Sequence, residues 1–226
     1  MPDTNAAFAP RLADPSGPRP VLLGDPRVAA LPAREGGEPL TELDESFGPC
    51  RALVRVSVAR RLALARAELP KGLGLRVVEG FRTAAAQHAI IRSYADELRV
   101  SHPAIGAAEL ERLTSRFVAP MAVAPHLAGA AVDLTLVDSA GRELDLGTPV
   151  DATPEQSGGG CYLDAPLPSR QARANRDLLA RVLRCAGLVN YPTEWWHWSY
   201  GDRYWALMTG APAALYGPVA GDRVAR

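Results

Sequence analysis

Four side chains in two short stretches of this 226-residue chain have the types needed for metal-dependent hydrolysis. His126 precedes Asp133 in one stretch, and Glu194 precedes His197 in the other. Two imidazoles and one carboxylate leave one coordination position of Zn²⁺ open, and an open position distinguishes a catalytic zinc from a structural one. A nearby carboxylate that is not a ligand can take a proton from water at that position. We therefore predict His126, Asp133 and His197 as metal ligands and Glu194 as the general base.

The first pair requires a loop that folds back on a strand. Residues 131–137 alternate with period two, which predicts a strand with Asp133 on the face opposite its apolar residues. His126 lies in the loop before that strand, and Gly129 supplies the backbone freedom for a tight return. Alone this pair is weak, because a loop histidine and a polar strand residue often have no connection.

The second pair makes a stronger structural demand. Glu194 and His197 are three residues apart, so a flat strand would point them to opposite faces. Both reach one metal only if a bulge falls at 195–196, or if Glu194 lies in a turn set up by Pro192. The alternative is that the neighbouring tryptophans form core and Glu194 is a solvated charge. The two stretches taken together favour the metal site.

The surrounding pattern predicts an α+β fold, with a small antiparallel sheet, packed helices and a zinc cleft. Helical spacing or capping predicts helices over 50–69, 84–99 (with Thr83 as N-cap), 107–117 and 171–185, and strands over 73–81, 131–137 and 194–198.

Length and composition favour one globular domain over 21–226, after a flexible proline-rich tail over 1–20. Formal net charge is zero and the pI is about 6.9, which argues against nucleic-acid or polybasic membrane binding. No run approaches the roughly 20 apolar residues of a membrane helix, and no leader pattern opens the chain, so we expect a cytoplasmic protein. Oligomeric state is not readable from the sequence.

The cysteines and Arg82 have competing interpretations. Three cysteines without close pairs argue against a disulfide framework, and we expect structural roles, with Cys185 buried on the apolar side of its helix. Arg82 follows a predicted strand, where it could stabilise an oxyanion or form a surface salt bridge with Glu79. Considered alone, Arg82 favours the salt bridge. The glycine-rich stretch 145–168 predicts a long loop, which is often functional in a compact domain.

At these residues the chain resembles the zinc D-alanyl-D-alanine dipeptidases of the VanX type. The segment 125–136 resembles their His-x6-Asp signature, and 194–197 resembles their Glu-x-x-His signature. The segment 80–82 matches their Gly-aromatic-Arg, and 146–151 matches the segment that supplies an acidic residue to the amino end of the substrate. The similarity runs from about residue 20 to about residue 218, and the four motif segments are its specific part.

The resemblance implies that His126, Asp133 and His197 bind Zn²⁺ and that Glu194 acts as base and then as acid. It implies that Arg82 stabilises the transition state and that Asp151 pairs with the substrate ammonium. The expected activity is hydrolysis of D-Ala-D-Ala or a similar small dipeptide.

Two positions depart from the family pattern, and two other functions stay open. Ala124 stands where the family often has a serine, and Leu127 where it often has a polar residue; the missing hydroxyl removes a substrate hydrogen bond of about 1 kcal/mol. One alternative is a zinc amidase or carboxypeptidase acting on another peptidoglycan-derived or natural-product peptide. The other is a zinc-stabilised binding module without catalysis, against which Glu194 and Arg82 argue. Resistance to glycopeptides and amino-acid recovery are both compatible roles.

Overall fold

The computed structural model describes residues 20–166 and 169–219, so all but the last residue of the predicted tail over 1–20 lies outside the described part. In these ranges the chain forms short helices and two antiparallel sheets, as the α+β prediction requires. The α-helices are α1 (Pro26–Ala30), α2 (Val56–Ala67), α3 (Ala84–Ser101), α4 (Ala107–Thr114), α5 (Pro154–Ser157), α6 (Arg170–Cys185) and α7 (Arg203–Thr209). The strands are β1 (Leu40–Glu42), β2 (Leu53–Arg55), β3 (Leu73–Glu79), β4 (Ala131–Asp138), β5 (Val189–Asn190) and β6 (His197–Ser199).

The larger sheet has four antiparallel strands in the order β3, β4, β6, β5, so the predicted strand over 131–137 lies inside it. On one face of β4, Val132, Leu134 and Leu136 are fully buried. They belong to the main core, which α2 and α6 share. This apolar face fixes the register of β4, because a slip of one residue would turn Asp133 into that core.

Several predicted boundaries were confirmed and others were wrong. Thr83 caps α3 through a bond from the amide of Ala86 to its hydroxyl. The helix expected over 50–69 begins only at Val56, because residues 53–55 pair with β1. The helix expected over 107–117 ends at Thr114. The aromatic strand expected from residue 194 begins only at residue 197, because residues 192–196 form turns.

The prediction that Cys185 is buried was also wrong. The buried stripe of α6 runs through Ala172, Leu179 and Leu183, and at about 100° per residue Cys185 falls on the opposite side. Its side chain is therefore exposed, as is that of Cys50, whereas Cys161 is buried. Burial raises the pKa of Cys161 to about 11, so this thiol stays protonated at neutral pH.

Helix α6 holds the long loop that follows β4. Arg176 is fully buried, and its guanidinium donates to the carbonyls of Leu146, Gly160 and Tyr162 at 2.6–2.7 Å. Each of these carbonyls would otherwise be a costly unpaired group. The loop is thereby fixed at both of its ends. Within residues 20–166 and 169–219, no helix has the length and apolar character needed to cross a membrane.

Candidate metal centre

The register of the sheet brings three acidic or imidazole side chains into one row. Asp133 of β4 pairs directly with His197 of β6 on one side and with Glu79 of β3 on the other. Residues directly opposite in adjacent strands share a face, so these side chains point to the same side of the sheet. Glu79 reaches this row only because β3 has a bulge between Val77 and Glu79, which shifts the pairing by one residue.

His126 reaches the row from a short 3-10 helix, Pro125–Ala128, just ahead of β4. Gly129 ends that helix with φ of 62°, the left-handed conformation expected of a glycine at a tight return. His126 Nδ1 lies 2.7 Å from the carbonyl oxygen of Gly80. Because a carbonyl only accepts, Nδ1 carries the hydrogen and the lone pair of Nε2 faces the row, as in histidines that ligate metals.

The three predicted ligands converge. His126 Nε2 lies 3.1 Å from His197 Nδ1 and 3.4 Å from Asp133 Oδ2, and His197 Nδ1 lies 3.0 Å from Asp133 Oδ1. Tetrahedral ligands about 2.05 Å from Zn²⁺ would be about 3.3 Å from one another. All three residues are buried, and they form a group able to hold a metal ion. The donor set and its spacing therefore fit zinc.

Glu194 reaches the same point by the turn, the second of the two geometries that the spacing allowed. Its amide donates to Tyr191 O at 2.9 Å and its carbonyl accepts from His197 N at 3.2 Å. Its Oε2 lies 3.7 Å from His197 Nδ1. Its Oε1 is buried and has no hydrogen-bond partner among the described residues. A buried carboxylate oxygen beside the ligands is thus left for a solvent molecule or a substrate proton.

Arg82 forms a salt bridge and also lies in the cleft, so its position is compatible with both roles considered from the sequence. Its guanidinium forms a bidentate salt bridge with Glu79 and donates from Nη1 to Gln87 Oε1 at 2.8 Å. Arg82 nevertheless lines the cleft together with Glu194 and Asp133. The salt bridge with Glu79 therefore holds the guanidinium at the wall of the cleft and not at the outer surface.

Asp151 comes from the loop after β4 and lines the same cleft. Its φ is 63°, a left-handed conformation that aspartate tolerates better than most side chains do. Burial raises its pKa to about 6, with further contributions from the negative charges of Asp133 and Glu79. The carboxylate is thus poised to lose or gain a proton close to neutral pH.

Charge and burial act against each other at the ligands. Burial alone would raise the pKa of Asp133, but His126 and His197 lower it well below its usual range. Burial opposes the charged form of His126, yet Asp133 outweighs it and raises the pKa of His126. Burial lowers the pKa of His197. The pKa of Glu194 is raised well above its usual value by burial, then by the charges of Asp133 and Asp151. Of the carboxyl groups of Asp133 and Glu194, that of Asp133 is therefore the one that stays ionised.

The cleft has a volume of about 260 Å³ and contains residues that the motifs did not indicate. Gln87 is buried on α3 and bridges Arg82 to the carbonyl of Ala119. Phe117 and Ile90 add an apolar wall. Only the helical phase of Gln87, on the buried side of α3, could have indicated its position from the sequence.

The two departures from the family pattern have different consequences. Ala124 lines the cleft, so the missing hydroxyl changes the wall that a substrate would touch. Leu127 is not a lining residue and packs instead in a small core with Leu23 and Val28, of which Leu23 lines the cleft. Its apolar character therefore serves the packing behind the cleft wall.

Comparison with known families agrees with this geometry. The family model described as D-ala-D-ala dipeptidase (Peptidase_M15) matches residues 45–209, well over half of the chain. The chain belongs to this family. The matched range contains every residue of the metal centre described above.

Two curated relatives share part of this dipeptidase-family sequence. A D-alanyl-D-alanine dipeptidase of Synechocystis sp. is 36% identical over 94 residues, which is 38% of each chain. One from Escherichia coli K12 is 38% identical over 72 residues, 32% of this chain and 35% of the relative. The aligned parts thus span little more than a third of these relatives.

The solved structures that match the chain are more distant in sequence. VanYB in complex with D-alanine-D-alanine has 16% identity and a TM-score of 0.44, covering 76% of this chain and 83% of that chain. A Zn(II) complex of the D,D-pentapeptidase VanY from a VanB-type resistance cassette has 15% identity and a TM-score of 0.36, covering 78% and 93%.

Proposed function

We propose that this protein is a zinc metallopeptidase that hydrolyses D-Ala-D-Ala or a similar small dipeptide. The observation that carries the proposal is the convergence of His126, Asp133 and His197, with ligand atoms 3.0–3.4 Å apart, in a cleft that also contains Glu194. Membership of the dipeptidase family supports the substrate class.

In the proposed reaction His126, Asp133 and His197 hold the metal. Bound Zn²⁺ supplies a Lewis acid that activates water and polarises the scissile carbonyl. Glu194, whose raised pKa the positive charge of bound Zn²⁺ would lower, takes the proton of the attacking water as an ionised carboxylate and returns it to the leaving amine. Arg82, which is fixed by Glu79 and Gln87, donates to the oxyanion of the tetrahedral intermediate.

Asp151 is the residue from which we infer a preference for substrates with a free amino end. A carboxylate in the cleft pairs with a substrate ammonium, and an internal peptide bond has no ammonium to offer. The volume of about 260 Å³ is slightly below the usual range of about 300–1,000 Å³ for small-molecule sites, so it suits a ligand as small as a dipeptide. A free dipeptide would be met in the cytoplasm, where we expect this protein to act.

The proposal is tested by incubating zinc-loaded protein with D,D-, L,D- and L,L-dipeptides, longer peptides and N-acetylated analogues. We expect turnover of a free D,D-dipeptide and little turnover of the blocked or longer compounds. Cleavage of longer peptides alone would indicate a carboxypeptidase or amidase. Zinc binding with no turnover of any compound would indicate a binding module.

Substitution of the proposed base provides the sharper test. Glu194→Ala should retain one zinc per chain and lose about 10²–10⁴-fold in kcat, because general-base catalysis contributes about that much. Zinc content by atomic absorption and initial rates are measured on the same sample. Glu109→Ala, which changes an exposed glutamate on α4, is the control. Unchanged turnover in Glu194→Ala would remove the proposed base.

A further inference from the structure

The loop that carries Asp151 is fastened on both sides of that residue. Before it, Thr148 Oγ1 accepts a hydrogen bond from Trp195 Nε1 at 2.8 Å. After it comes Glu155, on the short helix α5, which Thr153 and Gln156 close with a reciprocal capping box. Asp151 therefore lies between two attachment points and cannot move independently of them.

Glu155 bonds to two side chains that lie outside the cleft lining. Its Oε2 accepts from Tyr94 OH of α3 at 2.5 Å, and its Oε1 accepts from Arg116 Nη2. The side chains of Arg116 and Glu155 are 9% and 24% exposed, so water screens this pair much less than it screens a surface salt bridge. The ring of Tyr94 packs 4.9 Å from that of Phe117, which lines the cleft.

The contacts of Thr148 and Glu155 both connect the Asp151 loop to the turn that contains Glu194. Trp195 is the next residue after Glu194. On the other side, Thr193 Oγ1 donates to the carbonyl of Arg116 at 2.6 Å, and Thr193 is fully buried. The Arg116 side chain thus holds the Asp151 loop while its main chain holds the Glu194 turn.

We propose that Arg116 and Glu155 are positioning residues that hold Asp151 at a fixed distance from Glu194, and so set the affinity for the substrate ammonium. This inference rests on the proposed function, in which Asp151 binds that ammonium. Neither residue of the pair lines the cleft, so neither would contact the substrate directly. Breaking the pair releases the loop and leaves the metal ligands in place.

The first test is Glu155→Gln, which keeps the size of the side chain and removes its charge. We expect KM for a free D,D-dipeptide to rise about fivefold with kcat nearly unchanged, because uniform binding is lost and transition-state contacts are kept. Tyr94→Phe keeps the ring against Phe117 and removes one bond to Glu155, so KM should rise about twofold. A fall in kcat with constant KM would overturn the inference.

The matched control is Glu109→Gln. Glu109 pairs with Arg112 on α4, but both side chains are about half exposed and neither lines the cleft. This substitution removes the same charge from the same type of ion pair, and KM should not change. An equal rise of KM in both variants would overturn the inference, because a general charge effect would explain it.

A double-mutant cycle with Asp151→Asn shows whether the pair acts through Asp151. If it does, Glu155→Gln should add little to the KM of Asp151→Asn, since contacting networks are non-additive. If the fold-changes in KM of the two single variants simply multiply in the double variant, this inference is overturned and the ammonium role of Asp151 stands. An unchanged KM in Asp151→Asn, with turnover intact, overturns the ammonium role itself and this inference with it.

Hydrogen exchange of the zinc-loaded protein gives a readout that needs no turnover. Amides of 148–157 should exchange faster in Glu155→Gln than in Glu109→Gln, because the loop has lost one of its attachments. Equal exchange in the two variants would show that the pair does not hold the loop and would overturn the inference.

Discussion

The cleft concentrates negative charge at the level of single residues. Glu79, Asp133, Asp151 and Glu194 line it, with Arg82 as its one guanidinium among the lining residues. Like charges held close together raise one another's pKa and attract cations. A divalent metal and a substrate ammonium both relieve this repulsion, so the same charge pattern favours both proposed ligands.

Asp151 gives a pH dependence of substrate affinity. Its pKa is raised to about 6, chiefly by burial, so the carboxylate is ionised above that pH and protonated below it. Only the ionised form attracts an ammonium, so KM for a free dipeptide should rise as pH falls from about 8 to about 5. The measurement is KM against pH for wild type and Asp151→Asn. A similar rise in the variant would assign the titration to another group.

At the level of elements, the end of β3 and the 3-10 helix Pro125–Ala128 depend on each other. Gly80 follows β3, and its carbonyl accepts from His126 Nδ1 at 2.7 Å. The amide of Arg82 donates back to the carbonyl of His126 at 3.2 Å. A Cβ at Gly80 would lie 2.5 Å from the carbonyl oxygen of Leu53, so β2 leaves room only for glycine. The close approach of β2 therefore helps to orient His126, one of the proposed metal ligands.

Gly80→Ala should consequently weaken both the fold and the metal site. Overpacking against a backbone oxygen should cost about 1–3 kcal/mol of unfolding free energy. Displacement of the carbonyl that orients His126 should lower zinc affinity about 10-fold to 100-fold. Chemical denaturation and competition with a zinc chelator measure the two effects. Gly36→Ala, where the added Cβ meets only the carbonyl oxygen of Leu215 at an ordinary 3.9 Å, is the control and should lower neither quantity.

At the level of the whole molecule, the metal site joins three separate parts of the chain. His126 comes from the 3-10 helix, Asp133 from β4 and His197 from β6. A cation that binds all three is bound only by the folded chain, so binding adds directly to stability. Asp133 and His197 lie on the face of the sheet opposite the main apolar core. A bound metal would therefore link chain segments on that second face.

Zinc should therefore raise the melting temperature. At about 1,000 times Kd the gain is about 4 kcal/mol, or roughly 10 °C for a chain of this size. Differential scanning calorimetry with zinc and with a chelator measures the shift. His126→Ala should abolish it, whereas His88→Ala, which removes an exposed histidine on α3, should keep it. A shift that persists in His126→Ala would place the metal elsewhere.

The sequence by itself determined the features that depend on near neighbours in the chain. The period-two pattern over 131–137, the cap at Thr83 and the spacing within the two motifs are local, so they indicated β4, α3 and the three residues of the candidate metal centre. The α+β class followed from the same local signals.

Only the tertiary structure decided the contacts between distant segments. The bulge in β3 puts Glu79 opposite Asp133 of β4, and the turn before β6 brings Glu194 into the same cleft as Asp133. The pairing of Glu155 with Arg116 joins residues 39 apart. Such contacts depend on strand register and on the packing of side chains between elements. The type of a single residue says little about either. The wrong expectation for Cys185 has a different origin, because the phase of its own helix, which is a local feature, turns it to solvent.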